Sequence, residues 1–151
     1  MVGVALEMNR CVWRGKSSAI EKPWGYEIRW NGLFHGKEIH LRAGCRTSLK
    51  FHAHKHELLY IQHGIIEAEL ADERHFVDPG NNPSRLERLG PGELINVQAG
   101  CVYRLTAIDD SIIFEISSGY GGSESVRLED DYGREDPGAK EKYVFIPPEK
   151  S

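Results

Sequence analysis

No apolar run in this chain approaches the roughly eighteen residues that a membrane-crossing helix needs. The opening segment, Met1–Arg10, has only a short apolar stretch interrupted by Glu7, with no small-residue cleavage site behind it, so no secretory leader is expected. Positive charge is not in excess either: 19 Lys and Arg face 23 Asp and Glu, for a formal charge of −4 and a pI near 6.0. The electrostatic footprint of a nucleic-acid binder is therefore missing, although a few inward Lys or Arg would be enough to take an anionic small molecule. Cysteine is sparse. Cys11, Cys45 and Cys101 are an odd number without a CxxC spacing, which argues against a disulfide framework and suits a reducing compartment, so a cytoplasmic protein is expected. There is no internal repeat. Gly119–Ser123 is glycine-rich but lacks the spacing of a phosphate-cradling loop, and no helix signal follows it.

What is present is a period of two. Hydrophobic residues make up 40% of the 151 residues and charged residues 28%, enough apolar surface for one cored domain. In Lys37–Arg42, Ile39 and Leu41 alternate with polar partners, as on a half-buried strand. Glu57–Leu70 reads as two strands around a His63-Gly64 turn, where glycine permits the positive φ of a tight hairpin. Further short strands are predicted at Arg85–Leu89, Leu94–Val97, Tyr103–Ala107 and Ile112–Ser117, separated by turn-forming GPGE, QAG and DDS clusters. Many short strands at near-regular spacing predict an all-β sandwich or barrel. Helix is expected at most in the N-terminal segment and in Gly133–Lys142. Asp72–Ser84, with its DPGNNPS stretch, reads as a solvent loop between two strands rather than a lid. The tail around Tyr143–Lys150 carries four apolar residues and is expected to pack on its own barrel or a partner's.

The chemistry-bearing segment runs from Gly44 to Gly64 and holds His52, His54, His56 and Glu57. Residues two apart on a strand share a face, so His52 and His54 would point together into a barrel. Two imidazoles and a carboxylate form a facial ligand set with positions left open for water or substrate. Strict alternation would add His56 and turn Glu57 outward, whereas a bulge after His54 would bring Glu57 back. The remaining histidines, His35, His40, His63 and His75, read as surface or core residues.

These residues resemble the first motif of the cupin family: two histidines one apart, a glutamate, then six residues and a glycine, the spacing from Glu57 to Gly64. Gly92-Glu93 with Gly100 and Arg104-Leu105 is similar to the second cupin motif. Glu21–Glu27, EKPWGYE, and Ser125–Arg134, SVRLEDDYGR, resemble the entry and closing segments of type II mannose-6-phosphate isomerases, the cupin often fused behind mannose-1-phosphate guanylyltransferase. The resemblance implies a cupin-type double-stranded antiparallel β-barrel, or jelly roll, with a core over about 21–134 and terminal arms over 1–20 and 135–151. It also implies an interior metal on His52, His54 and Glu57, and a homodimer. Departures from the family pattern fall on the interior. Tyr103 stands where the family has a second-motif histidine, Gln98 replaces a proline, Lys50 replaces a glutamine, Lys55 matches an arginine, and Leu58-Leu59 replaces His-Trp.

An aldose–ketose isomerase of this kind needs a proton-moving group, an electrophile on the two oxygens and a cation for phosphate. On the resemblance, a divalent transition metal (Zn, Mn, Fe or Ni) polarises the carbonyl. Lys50, Arg104 or Arg127 hold the sugar phosphate. Lys50, Tyr103 and Arg104 are the candidate catalytic groups, with Tyr103 a proton donor or weak fourth ligand. Two further functions stay open: a non-haem iron dioxygenase or lyase, and a non-catalytic sugar-binding or regulatory cupin.

Overall fold

A computed structural model of the protein describes residues 16–30, 35–118 and 125–144. Cys11, Gly119–Ser123 and residues 145–150 of the tail lie outside the described residues, whereas Tyr143 packs on the chain's own second core cluster. Among the described residues, eleven strands and two short helices follow one another in the order β1 (Ala19–Lys22), β2 (Gly25–Trp30), β3 (His35–Leu41), β4 (Leu49–His52), β5 (Glu57–His63), β6 (Ile66–Ala71), α1 (Glu73–Val77), β7 (Arg85–Leu89), β8 (Leu94–Val97), β9 (Val102–Ala107), β10 (Ser111–Ser117), β11 (Ser125–Glu129) and α2 (Ala139–Lys142). All pairings are antiparallel. They form a six-stranded sheet, β1-β2-β3-β10-β5-β8, and a five-stranded sheet, β11-β4-β9-β6-β7. No helix among the described residues is long and apolar enough to cross a membrane.

Alternation decides what each face carries. Ile39 and Leu41 of β3, Leu59 and Ile61 of β5, Ile95 and Val97 of β8 and Ile113 of β10 meet Ile66, Ala68 and Leu70 of β6 and Leu105 of β9 in the main core between the sheets. A second cluster covers the outer face of the five-stranded sheet. Leu49, Phe51, Val102 and Val126 pack there against Phe76 of α1 and Ala139 of α2. The Phe51 ring meets Phe76 and Tyr143 edge-on, with centroids 5.1 and 5.4 Å apart.

Two sequence expectations change here. β5 and β6 do not pair as a hairpin, because β5 belongs to the six-stranded sheet and β6 to the five-stranded one. Gly64 has the expected positive φ, +79°, but its task is to carry the chain from one sheet to the other past the β9–β10 turn. A Cβ at Gly64 would lie 2.4 Å from the Asp110 carbonyl oxygen. The Asp72–Ser84 stretch is also more than a loop: it contains α1, whose N-cap Asp72 accepts from the Arg74 N–H, and it buries Phe76. Residues 125–134 have a structural role. The Asp130 carboxylate accepts from Arg134 and from the Ser48 hydroxyl, both at 2.7 Å, tying the chain after β11 to the segment before β4.

Candidate functional site

The short strand β4 sets the interior chemistry. Leu49 and Phe51 take the outer face, so Lys50 and His52 take the inner one. Lys50 pairs in register with Tyr103 of β9. Across the barrel, Glu57 begins β5 and points inward, 1% exposed. The Tyr103 hydroxyl donates to Glu57 Oε2 at 2.6 Å. His52 Nε2 lies 3.3 Å from Glu57 Oε1, in an orientation that leaves both ring nitrogens without a hydrogen-bond partner. The Lys50 ammonium sits 5.1 Å from the centroid of the Tyr103 ring and, among the described residues, makes no ion pair.

Burial and neighbouring charge shape the titration of these groups. Burial, abetted by the Lys37 and Lys55 charges, pushes the Lys50 amine down to about 8 despite the opposing pull of Glu57. Burial also pushes His52 below its ordinary value, so its imidazole is neutral at pH 7. Burial acts to raise Glu57, but the His52 contact and the Lys50 and Lys55 charges outweigh it and hold the carboxyl far below the usual range. Burial and the Glu57 charge raise the Tyr103 phenol well above its ordinary value, which keeps it a donor.

Solved structures with this architecture include CapF with the inhibitor 3-isopropenyl-tropolone (TM-score 0.65, 11% identity, covering 78% of this chain and 36% of that one). They also include Bacillus subtilis oxalate decarboxylase, a protein with Mn(II) centres (TM-score 0.62, 15% identity, 74% and 30%), and KdgF from Halomonas sp. (TM-score 0.53, 16% identity, 70% and 89%). The fold is a cupin-type barrel. The chain spans about a third of the length of CapF and of the oxalate decarboxylase, 36% and 30%. No family model and no curated protein sequence matches it.

Within this cupin barrel, the structure brings together four of the residues singled out in the sequence: Lys50, His52, Glu57 and Tyr103. Four others stand elsewhere. His54 lies exposed in the bend after β4, because the strand ends at His52 and alternation stops with it. The inward pair one residue apart is thus Lys50 and His52, not His52 and His54. Arg104 follows Tyr103 on β9 and so takes the outer face, 3.1 Å from Glu129 and 3.7 Å from Glu69. Arg127 pairs in register with Lys50 but lies 3.8 Å from Asp136 and lines a cavity of 380 Å³ with Leu49 and Phe76. His56 is exposed as well, its Nδ1 accepting from the Ala99 N–H at 3.3 Å.

The donor set does not fit a divalent cation. Among the described residues, no three His, Cys, Asp or Glu side chains are placed to hold one. The space beside Glu57 is taken by cations of the chain itself. Lys55, which follows His54 in the bend, sends its ammonium inward to lie 2.6 Å from Glu57 Oε1 and 2.7 Å from Glu115 Oε1. Lys37 Nζ lies 3.0 Å from Glu115 Oε2 and 4.0 Å from Glu27 Oε2, and Glu27 is paired further with Lys22 and Arg29. Glu27, Glu115 and Lys37 were not singled out in the sequence. Their signal was a charged residue at the inward register of an otherwise apolar strand, as in Ile113-Phe114-Glu115-Ile116.

Proposed function

We propose that this cupin barrel is an enzyme that moves a proton beside a carbonyl group in a small sugar-type substrate, the aldose–ketose class that its motifs resemble. The observation that supports this most is the inward cluster of Lys50, His52 and Tyr103 around Glu57, with His52 Nε2 turned to Glu57 and its Nδ1 without a hydrogen-bond partner. A buried neutral imidazole with a free lone pair suits a general base near pH 7. His52 takes the proton from the carbon next to the carbonyl and returns it to the neighbouring carbon. The Lys50 ammonium, lacking a carboxylate partner, gives a proton to the carbonyl oxygen as negative charge develops there and takes one back from the neighbouring hydroxyl as that oxygen becomes the new carbonyl. Tyr103 donates a hydrogen bond to Glu57 and keeps that carboxylate in place. Glu57 itself, compensated by Lys55 and held far below the usual carboxyl range, orients its neighbours rather than taking protons. Arg104 and Arg127, the cations expected for a phosphate, stand outside the cluster, so an unphosphorylated sugar or sugar acid fits better than a sugar phosphate.

The test is solvent exchange. The protein is incubated in D₂O, with chelator, with a panel of aldoses, ketoses and uronic acids, and deuterium at the carbon beside the carbonyl is followed by proton NMR. Exchange is expected with at least one member of the panel. It should fall at least about a hundredfold in His52→Asn and about tenfold or more in Lys50→Met. Exchange that survives His52→Asn, or no exchange across the panel, would overturn the proposal.

A further inference from the structure

Charge inside the barrel does not balance. Three buried carboxylates, Glu27, Glu57 and Glu115, are answered by four cations that touch them, Lys22, Arg29, Lys37 and Lys55. Lys50 is a fifth cation on the inner face, and among the described residues no carboxylate pairs with it; its ammonium lies over the Tyr103 ring instead. A buried ammonium without a counter-ion is strongly destabilising. The other cations form a graded path. The Arg29 side chain is 49% exposed, Lys22 24%, Lys37 17% and Lys55 13%, whereas the carboxylates beneath them are at most 4% exposed. A solute entering from this side meets guanidinium and ammonium groups before any carboxylate, a field that draws anions in. Arg29 faces Lys37 in register across β2 and β3, and Lys37 faces Glu115 across β3 and β10. The path therefore crosses the six-stranded sheet toward Glu57, on which the charges of Lys50 and Lys55 both act.

We propose that the substrate carries the missing counter-ion: the interior takes a sugar acid, whose carboxylate passes along the Arg29, Lys37 and Lys55 row and pairs with the Lys50 ammonium. This rests on the reading of the interior as the reacting site and names its substrate class. An ammonium has three N–H donors, so Lys50 can hold the carboxylate and still serve a carbonyl oxygen on the adjoining carbon. A neutral sugar leaves Lys50 uncompensated, and an amino sugar adds to the cation excess.

Binding to the full chain is measured by titration calorimetry at pH 7. The probes are glucuronate, galacturonate and 2-ketogluconate, with glucose, galactose and fructose as neutral counterparts. Acetate and glucose 6-phosphate control for bare charge and for phosphate. At least one acid should bind about tenfold or more tightly than its neutral counterpart and than either control. That advantage should shrink to below about threefold in Lys50→Met and Lys50→Gln. In the native chain it should also be lost between pH 7 and 9.5, because Lys50 gives up its proton at about 8 while Lys55 keeps its own and Tyr103 stays a neutral phenol. The pH comparison decides if neither variant folds. Acid and neutral sugar bound alike, a control bound as tightly as every acid, or an advantage unchanged by the variants and by pH would each overturn the proposal. A preference for acid without solvent exchange leaves it standing and overturns only the proposed reaction; exchange confined to neutral sugars does the reverse.

Discussion

At Lys50 the structure sets a cost that depends on pH. The amine titrates near 8 in the folded protein against 10.5 for the free group. Between those values the unfolded chain holds the proton more tightly, so unfolding takes up protons and stability rises with pH across that window. Below pH 8 the charged amine carries its full burial penalty, and above about 10.5 the penalty is gone. Lys50→Met keeps the stem and removes the charge. It should raise stability at pH 7 by on the order of 1–3 kcal/mol and abolish the rise between pH 8 and 10. Urea unfolding at pH 7 and 9.5 checks both; a less stable Lys50→Met at pH 7 would show that the ammonium is compensated. Lys55 behaves oppositely. Burial alone would lower it, but Glu115 and Glu57 outweigh burial and raise it, so it stays charged across the range in which Lys50 titrates.

Among the elements, the turns carry more of the fold than the strands they join. The chain between β5 and β6 must leave one sheet and enter the other, and it does so through Gly64 in the left-handed region, pressed against Asp110 and Ser111. Gly64→Ala meets two separate obstacles, a positive φ that a side chain disfavours and a Cβ 2.4 Å from a backbone oxygen. It should destabilise the protein by at least about 2 kcal/mol, read as a lower urea midpoint at unchanged slope. Gly44, also at positive φ, has open space where its Cβ would go. Gly44→Ala should therefore cost the smaller amount, about 1 kcal/mol. Equal losses at the two glycines would mean that the contact with Asp110 yields easily. The bend between β4 and β5 matters in the same way. By ending the strand at His52, it releases His54 outward and lets Lys55 reach in.

For the whole molecule, acid is the condition that tests the charge network. Glu27, Glu57 and Asp130 all lie below their ordinary values. Glu27 is held there against burial by Lys37, Lys22 and Arg29, Glu57 against burial by His52, Lys50 and Lys55, and Asp130 chiefly by its hydrogen bonds from Arg134 and Ser48. A carboxylate with a depressed folded pKa contributes stability that is complete above its unfolded value, near 4, and is lost as pH falls through the folded one. Stability should thus fall gently below about pH 6.5, where the unfolded His52 takes up a proton that burial denies the folded one, and steeply below about 4 as the carboxylates protonate. Asp130→Asn should flatten part of that fall, and urea midpoints from pH 2 to 7 will show whether it does. Glu27 lies in β2 of the six-stranded sheet and Asp130 just after β11 of the five-stranded one, so both sheets lose ties together, and far-UV and tyrosine signals should report one transition.

Period-two alternation is a local property of the pleated backbone, and for that reason it was legible in the sequence. It placed strands at Arg85–Leu89, Leu94–Val97 and Ile112–Ser117 and set the inward positions of Ile39 and Leu41. The barrel type came from the resemblance of His52–Gly64 and the later motifs to the cupin family. Which strands share a sheet was not legible: the β5–β6 turn looks like any tight turn until long-range pairing sends its two arms to different sheets. The site divides along the same line. Lys50, His52 and Tyr103 sit on regular strands, so their faces follow from counting. Alternation stops in the bend after His52, and the choice between His54 and Lys55 as the inward residue fell to Glu57 together with Glu115, which lies 60 positions further along the chain from Lys55. Two buried carboxylates demand a cation, and the nearest ammonium supplies it.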